Sequence, residues 1–384
     1  MSVVTGSAAG RWVVAGSVAV VVAVLPGAVD RLPVGQSEHD PRQVVAAALR
    51  SAGLPHQGLA EVTGALGLPD LPRLGDLAAL LGGTTRARVW WRSPGAWRVD
   101  RVTATGETGT YAVPGGVQSW DFELHRARVV IQATPVRLPR LDDLLPPQAA
   151  RRVLAAVTGA DRLAALPPRR IAGRTADGVR VLPHDTASTV GRLDLYVDRA
   201  SGLPLSLVVA ARDTGQIALR TRFLDVSLRA PDRRVVQPHL PPATPVQTTV
   251  VPDLATAVDM FAPYQLPDDL AGARRAPDPR GYGGTATYGV GLARFVVLPL
   301  TPDLGQSAVQ AARDAGSAAV DVGGGADAVA VTTPLLDAVL VRAPGDAHGP
   351  VARGGRAYLL AGTVDIATLQ SAARQLVADP PPRQ

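Results

Sequence analysis

The chain contains no cysteine. That excludes disulfides, thiol catalysis, zinc–thiolate sites and a lipid-modified N-terminal cysteine. Lysine is absent too, so the 39 basic residues are all arginine. Those arginines are scattered and balanced locally by aspartate, without the basic run that a nucleic-acid footprint needs. The formal charge of +6 therefore implies no nucleic-acid partner. Aromatic residues make up only 4% of the 384 positions, yet four of the five tryptophans fall between residues 87 and 132.

That stretch, ARVWWRSPGAWRVDRVTATGETGTYAVPGGVQSWDFELHRARVVIQ, reads as five short strands. Ser93-Pro94-Gly95, a Thr-Gly-Glu-Thr-Gly loop and Pro114-Gly115-Gly116 separate the first four. Links this short join antiparallel neighbours, because parallel strands need a crossover of a dozen residues or more. Side chains alternate faces along a strand. Ala87, Val89 and Trp91 thus share one face, opposite Arg88, Trp90 and Arg92, and Gln118, Trp120 and Phe122 share another. One face of the meander is aromatic and needs a cover.

The only long apolar run is WVVAGSVAVVVAVLPGAV at 12–29. Its length lies at the boundary between a membrane span and a signal-peptide core, and no well-placed A-x-A triplet follows it. Arg11 before it favours an N-in orientation. The expectation is a signal anchor, with the bulk of the chain outside the cytoplasm on a single-pass cell-membrane tether.

The organisation expected from this reading is a cytoplasmic N-terminus at 1–11, the anchor at 12–29, a linker at 30–40 and a main domain at 41–230. A proline-rich linker at 231–253, a smaller α+β domain at 254–377 and a tail at 378–384 follow. Asp40-Pro41 has the pattern of an N-cap followed by proline at the first helical position. GLAEVTGAL (58–66) reads as a strand. LDDLLPPQAARRVLAAVTGADRLAAL reads as two short helices broken at Pro146-Pro147 and Thr158-Gly159. A second meander follows through GVRVLP, GRLDLYV and QIALRTRFLDVSL, and the helices between the two meanders are expected to cross the concave face of one sheet. In the second domain, Leu254–Ala262, Leu304–Ala315 and Ile366–Val377 read as helices around several strands.

Catalytic signatures are lacking. His184-Asp185 accompanies no G-x-S-x-G, the six histidines show no H-x-x-x-H or H-E-x-x-H spacing, and no G-K-[ST] follows Gly323-Gly324-Gly325. Asp142-Asp143 and Asp268-Asp269 are placed at helix starts, where acidic residues complement the macrodipole. The reading is of a non-enzymatic protein with no cofactor and no metal.

The succession GLPDLPRLGDLAALLGGTTRARVWWRSPGAWRVD, ETGTYAVPGGVQSWDFE, LDLYVDRASGLPLSLVV and RFLDVSL resembles the LolA-like superfamily. Within it the sequence is most similar to actinobacterial membrane-anchored proteins related to the sigma-factor regulator MucB/RseB. The resemblance spans roughly 41–240 and, more weakly, 254–377. It implies an α+β fold, an antiparallel half-barrel wrapped round helices with a hydrophobic cavity between, and a smaller C-terminal domain. It also implies partners: lipid or lipoprotein acyl chains for a carrier or envelope-stress sensor, or a membrane anti-sigma factor for a protein-interaction regulator without lipid. No contact residues for an anti-sigma factor can be matched.

The cavity residues expected are Trp91, Trp97, Val99, Tyr111, Trp120 and Phe122 from the strands, with Leu144 and Leu154 from the helices. Trp90 is the reserve for Trp91. In the rival reading Leu144, Leu145, Leu154 and Val157 fill the same space as ordinary core.

Overall fold

The computed structural model describes residues 35, 39–67, 75–103, 106–132, 139–242, 244–251, 264–277, 284–344 and 355–382. The expected anchor at 12–29 and the expected helix at 254–262 lie outside the described residues. Among the described residues, no helix is long and apolar enough to cross a membrane.

The first helix, α1 (Pro41–Arg50), begins as its sequence dictates. The Asp40 side chain accepts from Arg42 N at 2.7 Å, and Gln43 Oε1 accepts from Asp40 N at 3.2 Å, a reciprocal cap that satisfies two orphan donors. Strand β1 (His56–Gly64) follows, then α2 (Gly75–Leu81). The meander comprises β2 (Thr84–Ser93), β3 (Ala96–Val102), β4 (Glu107–Val113), β5 (Gly116–Asp121) and β6 (Arg126–Gln132). After a 3₁₀ turn at Leu141–Leu144 comes α3 (Pro146–Leu154). The second meander is β7 (Arg162–Ile171), β8 (Arg174–Leu182), β9 (Val190–Asp198), β10 (Pro204–Ala211) and β11 (Ile217–Ser227), and β12 (Val246–Val251) follows.

All twelve strands form one sheet in the order β12-β6-β5-β4-β3-β2-β1-β11-β10-β9-β8-β7. Every pairing is antiparallel except β12 with β6. Helices α1 and α3 cover one face. Val44 and Ala48 of α1 and Ala149, Ala150 and Leu154 of α3 pack against Leu193, Leu195 and Val197 of β9 and Leu207 and Val209 of β10.

Three sequence expectations need correction. Pro146-Pro147 starts α3 rather than breaking a helix, because a first-turn proline loses an amide that had no partner anyway. Residues 162–166 are strand, not helix. Their Ala/Leu composition is overridden by pairing with β8, and Pro167-Pro168 is accommodated because β7 is an edge with a register shift between Leu166 and Arg169. The proline-rich connector is more than a linker. Val236 is buried, Leu240 packs on the sheet and β12 adds to its edge.

The C-terminal unit has a two-strand ladder, β13 (Asp269–Leu270) with β14 (Ala273–Arg274), so Asp268-Asp269 opens a strand and not a helix. Its main sheet comprises β15 (Ala286–Val290), β16 (Ala293–Leu300), β17 (Ala318–Ala319), β18 (Asp327–Val331), β19 (Asp337–Ala343) and β20 (Arg356–Gly362). The order is β15-β16-β20-β19-β18-β17. Two helices, α4 (Pro302–Asp314) and α5 (Ile366–Ala378), pack into separate clusters with it. The loop between β8 and β9 grips this unit. Ser188 Oγ donates to Leu292 O at 2.9 Å, Thr189 Oγ1 to Leu335 O at 2.6 Å, and Asp365 N to Ala187 O at 2.8 Å. Leu292 and Leu335 complete the core beneath the larger sheet.

Candidate functional site

The site grows from the alternation in β2. Ala87, Val89 and Trp91 point to the helix-covered face and are buried there. The turn at Pro94-Gly95 folds β3 back so that Trp97 lies opposite Trp91. The two indoles stack with centroids 5.8 Å apart and planes 4° apart. Trp97 Nε1 donates to Pro94 O at 3.1 Å, which fixes the second ring to the turn that placed it. On the other side, β1 sets His56 against Trp91, 6.1 Å away and 11° from parallel. The result is a ladder of three flat rings.

His56 is 1% exposed, and burial holds its imidazole down at about 4, so it is neutral near pH 7. Its Nδ1 lies 3.0 Å from Leu54 O. A carbonyl oxygen only accepts, so Nδ1 carries the proton and donates. Nε2 is then left as a buried acceptor without a partner among the described residues.

Across from the indoles stand the 3₁₀ turn and α3. A cavity of about 540 Å³ separates the two sides. Trp91, Trp97 and Ala112 line its strand side, and Gln148, Arg151 and Ala155 its helix side. Its lining also includes two ion pairs, Arg140 with Asp142 at 2.9 Å and Arg152 with Asp143 at 2.5 Å. A concave space of this size, with an apolar floor and a few polar groups, has the form of a small-molecule pocket.

The residues expected at the cavity fall into three places. Trp91 and Trp97 line it. Val99 shares their cluster but is packed, 2% exposed, and does not reach the cavity wall. Leu144 and Leu154 are buried under the helices as core, beside Val157, and Leu145 fills the space under the meander. Tyr111 and Trp120 lie on the outer face, in a small cluster with Ala127 and Leu240, and Phe122 is 37% exposed at the β5–β6 tip.

Register explains the separation. Arg98 is the cross-strand partner of both Trp90 and Tyr111, so all three share the face opposite Trp97 and Val99. Gly109 opposite Trp120 carries that face into β5. Trp90, the reserve residue, belongs to this outer face. There the Arg98 guanidinium lies 5.0 Å from the Trp90 ring and 5.1 Å from Tyr111. It binds Asp100 through Nε (2.7 Å) and Nη2 (2.5 Å). Asp100 is 0% exposed, and burial, only partly offset by Arg98, pushes its carboxyl up to about 6. Gly109 leaves room for this pair, since a Cβ there would stand 3.0 Å from Asp100 Oδ1.

Ala112, Gln148 and Arg151 were not among the expected residues. Gln148 and Arg151 sit in QAARRV, a short run that reads as an ordinary amphipathic helix. Only the folded arrangement, in which Gln148 and Arg151 line one cavity with Trp97 and Ala112, shows which polar residues of α3 face inward.

No family model matches the sequence. No curated protein matches it either. Among solved structures, the chain is similar to one from the complex of Pseudomonas aeruginosa MucA and MucB. The identity is 20%, 87% of this chain and 97% of that chain are covered, and the TM-score is 0.47. A crystal structure of MucB gives 20% identity, 88% and 98% coverage and a TM-score of 0.44. A LolA superfamily protein from Nitrosomonas europaea gives 11% identity, 52% and 98% coverage and a TM-score of 0.22. The names these structures carry, MucB and LolA, are those of the sequence resemblance. At these scores the likeness assigns no residue and no activity to this chain.

Proposed function

We propose that the chain is a non-enzymatic binding protein that holds an acyl chain, of a lipid or a lipoprotein, in the cavity between the meander and α3. It would act as a carrier or envelope sensor on the outer side of a membrane, tethered by residues 12–29. The observation that supports this most directly is the stacked Trp91–Trp97 pair, which forms an apolar floor to a 540 Å³ space. Six methylenes buried on that floor contribute about 5 kcal/mol before ordering costs, a dissociation constant of roughly 0.2 mM.

The other helix residues beneath the sheet pack as core. Leu145 is 0% exposed, and Leu144 and Leu154 are buried with it. That supports the second reading, a protein-interaction regulator of an anti-sigma factor whose half-barrel carries no lipid. The two readings differ at Ala112, which is half-buried on the cavity wall. Ala112→Trp should fill the space and reduce uptake of a fluorescent acyl probe at least about tenfold while the melting temperature moves little. Probe uptake unchanged by Ala112→Trp would sink the carrier reading. Membrane placement has its own test. A C-terminal phosphatase fusion should be active and sediment with membranes, and activity only in the medium would show cleavage instead.

A further inference from the structure

The cavity wall opposite the indoles holds a charge that the apolar floor does not use. Among the described residues, three guanidiniums and two carboxylates line the space. Arg140 is held by Asp142, with Nε–Oδ1 at 2.9 Å and Nη2–Oδ2 at 3.0 Å. Arg152 is held by Asp143 at 2.5 Å. Arg151 has no carboxylate among the described residues. Its Nε donates to Pro147 O at 3.3 Å and its Nη1 to Ala52 O at 3.1 Å.

Gln148 lies three residues earlier on the same helix, and that spacing puts it on the same face as Arg151. It is 7% exposed, and among the described residues neither its Oε1 nor its Nε2 has a hydrogen-bond partner. An unpaired primary amide in a buried wall is unfavourable, and a leucine or methionine would pack there without that cost. The wall thus combines one uncompensated cation with one unused amide, and both line the same cavity.

We propose that the cavity takes an amphiphile with a singly charged oxyanion headgroup, a carboxylate or a phosphodiester, bound by the Arg151 guanidinium and the Gln148 amide while its chain lies on Trp91 and Trp97. This rests on the binding reading above and names the ligand class it would take. The headgroup oxygens accept from Arg151 and from Gln148 Nε2, donors whose geometry suits a planar or tetrahedral oxyanion. Two of the three guanidiniums are paired with Asp142 and Asp143, so the charged groups of the lining leave one positive charge, which matches a monoanion. Burial and the neighbouring Arg152 lower the Arg151 pKa, and an anion beside it acts in the opposite direction.

The test titrates the full chain, by calorimetry, with dodecanoate, methyl dodecanoate and dilauroylphosphatidylglycerol, each below its aggregation concentration. Dodecanoate or the phosphodiester lipid should bind roughly tenfold or more tightly than the uncharged ester. Whichever anion binds identifies the source of the headgroup. Gln148→Leu and Arg151→Met should each lower the anion's affinity by a larger factor than the ester's, so that the two affinities converge. Gln148→Leu should at the same time raise the melting temperature, a sign that a merely structural glutamine would not give. Equal binding of acid and ester by the native chain, or variants that weaken both alike, overturns the headgroup assignment and leaves the acyl-binding reading standing. Binding of none of the three ligands removes both.

Discussion

The two faces of the meander carry the same kinds of ring and use them differently. On the helix-covered face, Trp91 lies flat between Trp97 and His56, and both indoles line a cavity. On the outer face, Trp90 and Tyr111 flank the Arg98 guanidinium, which is in turn paired with buried Asp100. Trp90 and Trp91 are neighbours in sequence, and strand alternation alone sends them to these two chemistries. What a ring faces decides whether it is available to a ligand. The outer rings flank a cation, and the inner indoles stack on each other beside the cavity.

The largest expected effect separates the faces directly. Trp97→Ala removes a 4%-exposed indole and should cost about 3–5 kcal/mol in urea unfolding, with loss of acyl-probe uptake. Trp120→Ala, in the small outer cluster, should destabilise less and leave probe affinity within about twofold, because distant independent sites act additively. Lost binding with a near-native melt in Trp120→Ala would break the distinction between the faces.

Next in size is Arg98→Leu. It strands a fully buried carboxylate and should cost about 3 kcal/mol at pH 7. A smaller effect sharpens the same point through pH. Asp100 is pushed up to about 6 in the folded state, above an unfolded value of about 3.9. A carboxyl that holds its proton more tightly when folded contributes stability that is fully present below the unfolded value. That contribution is lost as pH rises through 6. Relative to Asp100→Asn, the native chain should therefore lose stability between pH 4 and 6. A flat difference across that range would mean that the ion pair outweighs burial.

The smallest effect belongs to Phe122→Ser. The ring is 37% exposed and touches Trp120 edge-on, 5.9 Å away. A change of about 0.5 kcal/mol is expected, with binding unaltered, and a loss several times larger would show that the tip is covered.

Much of the fold was legible because turn chemistry and capping act locally. Pro94-Gly95 and Pro114-Gly115 mark two hairpins of the meander, and Asp40-Pro41 marks the start of α1. The site was legible only in part, because alternation fixes facing within a strand and says nothing between strands. A plain two-residue turn would set Arg92 against Trp97, and only the irregularity between Trp91 and Ser93 brings Trp91 opposite Trp97. Placing Tyr111 and Trp120 needed the register of β3 with β4 and of β4 with β5, which sets Arg98 opposite Tyr111 and Gly109 opposite Trp120. Residues 162–166 were misread for a related reason. Alanine and leucine favour a helix locally, and only the neighbouring β8 converts them to strand.

Strand β12 has a practical consequence for anyone dividing the chain. It comes from the connector, yet it pairs in parallel with β6 along Ala127–Gln132 and closes an edge of the first domain. Leu240, just before it, covers Trp120 and Tyr111. A fragment cut at 230, where composition suggests a boundary, would expose the β6 backbone and two aromatic rings together, the combination that promotes edge-to-edge association. A fragment that ends at 251 keeps the β6 edge paired and the two rings covered, so of the two cuts the longer piece should associate less at that edge.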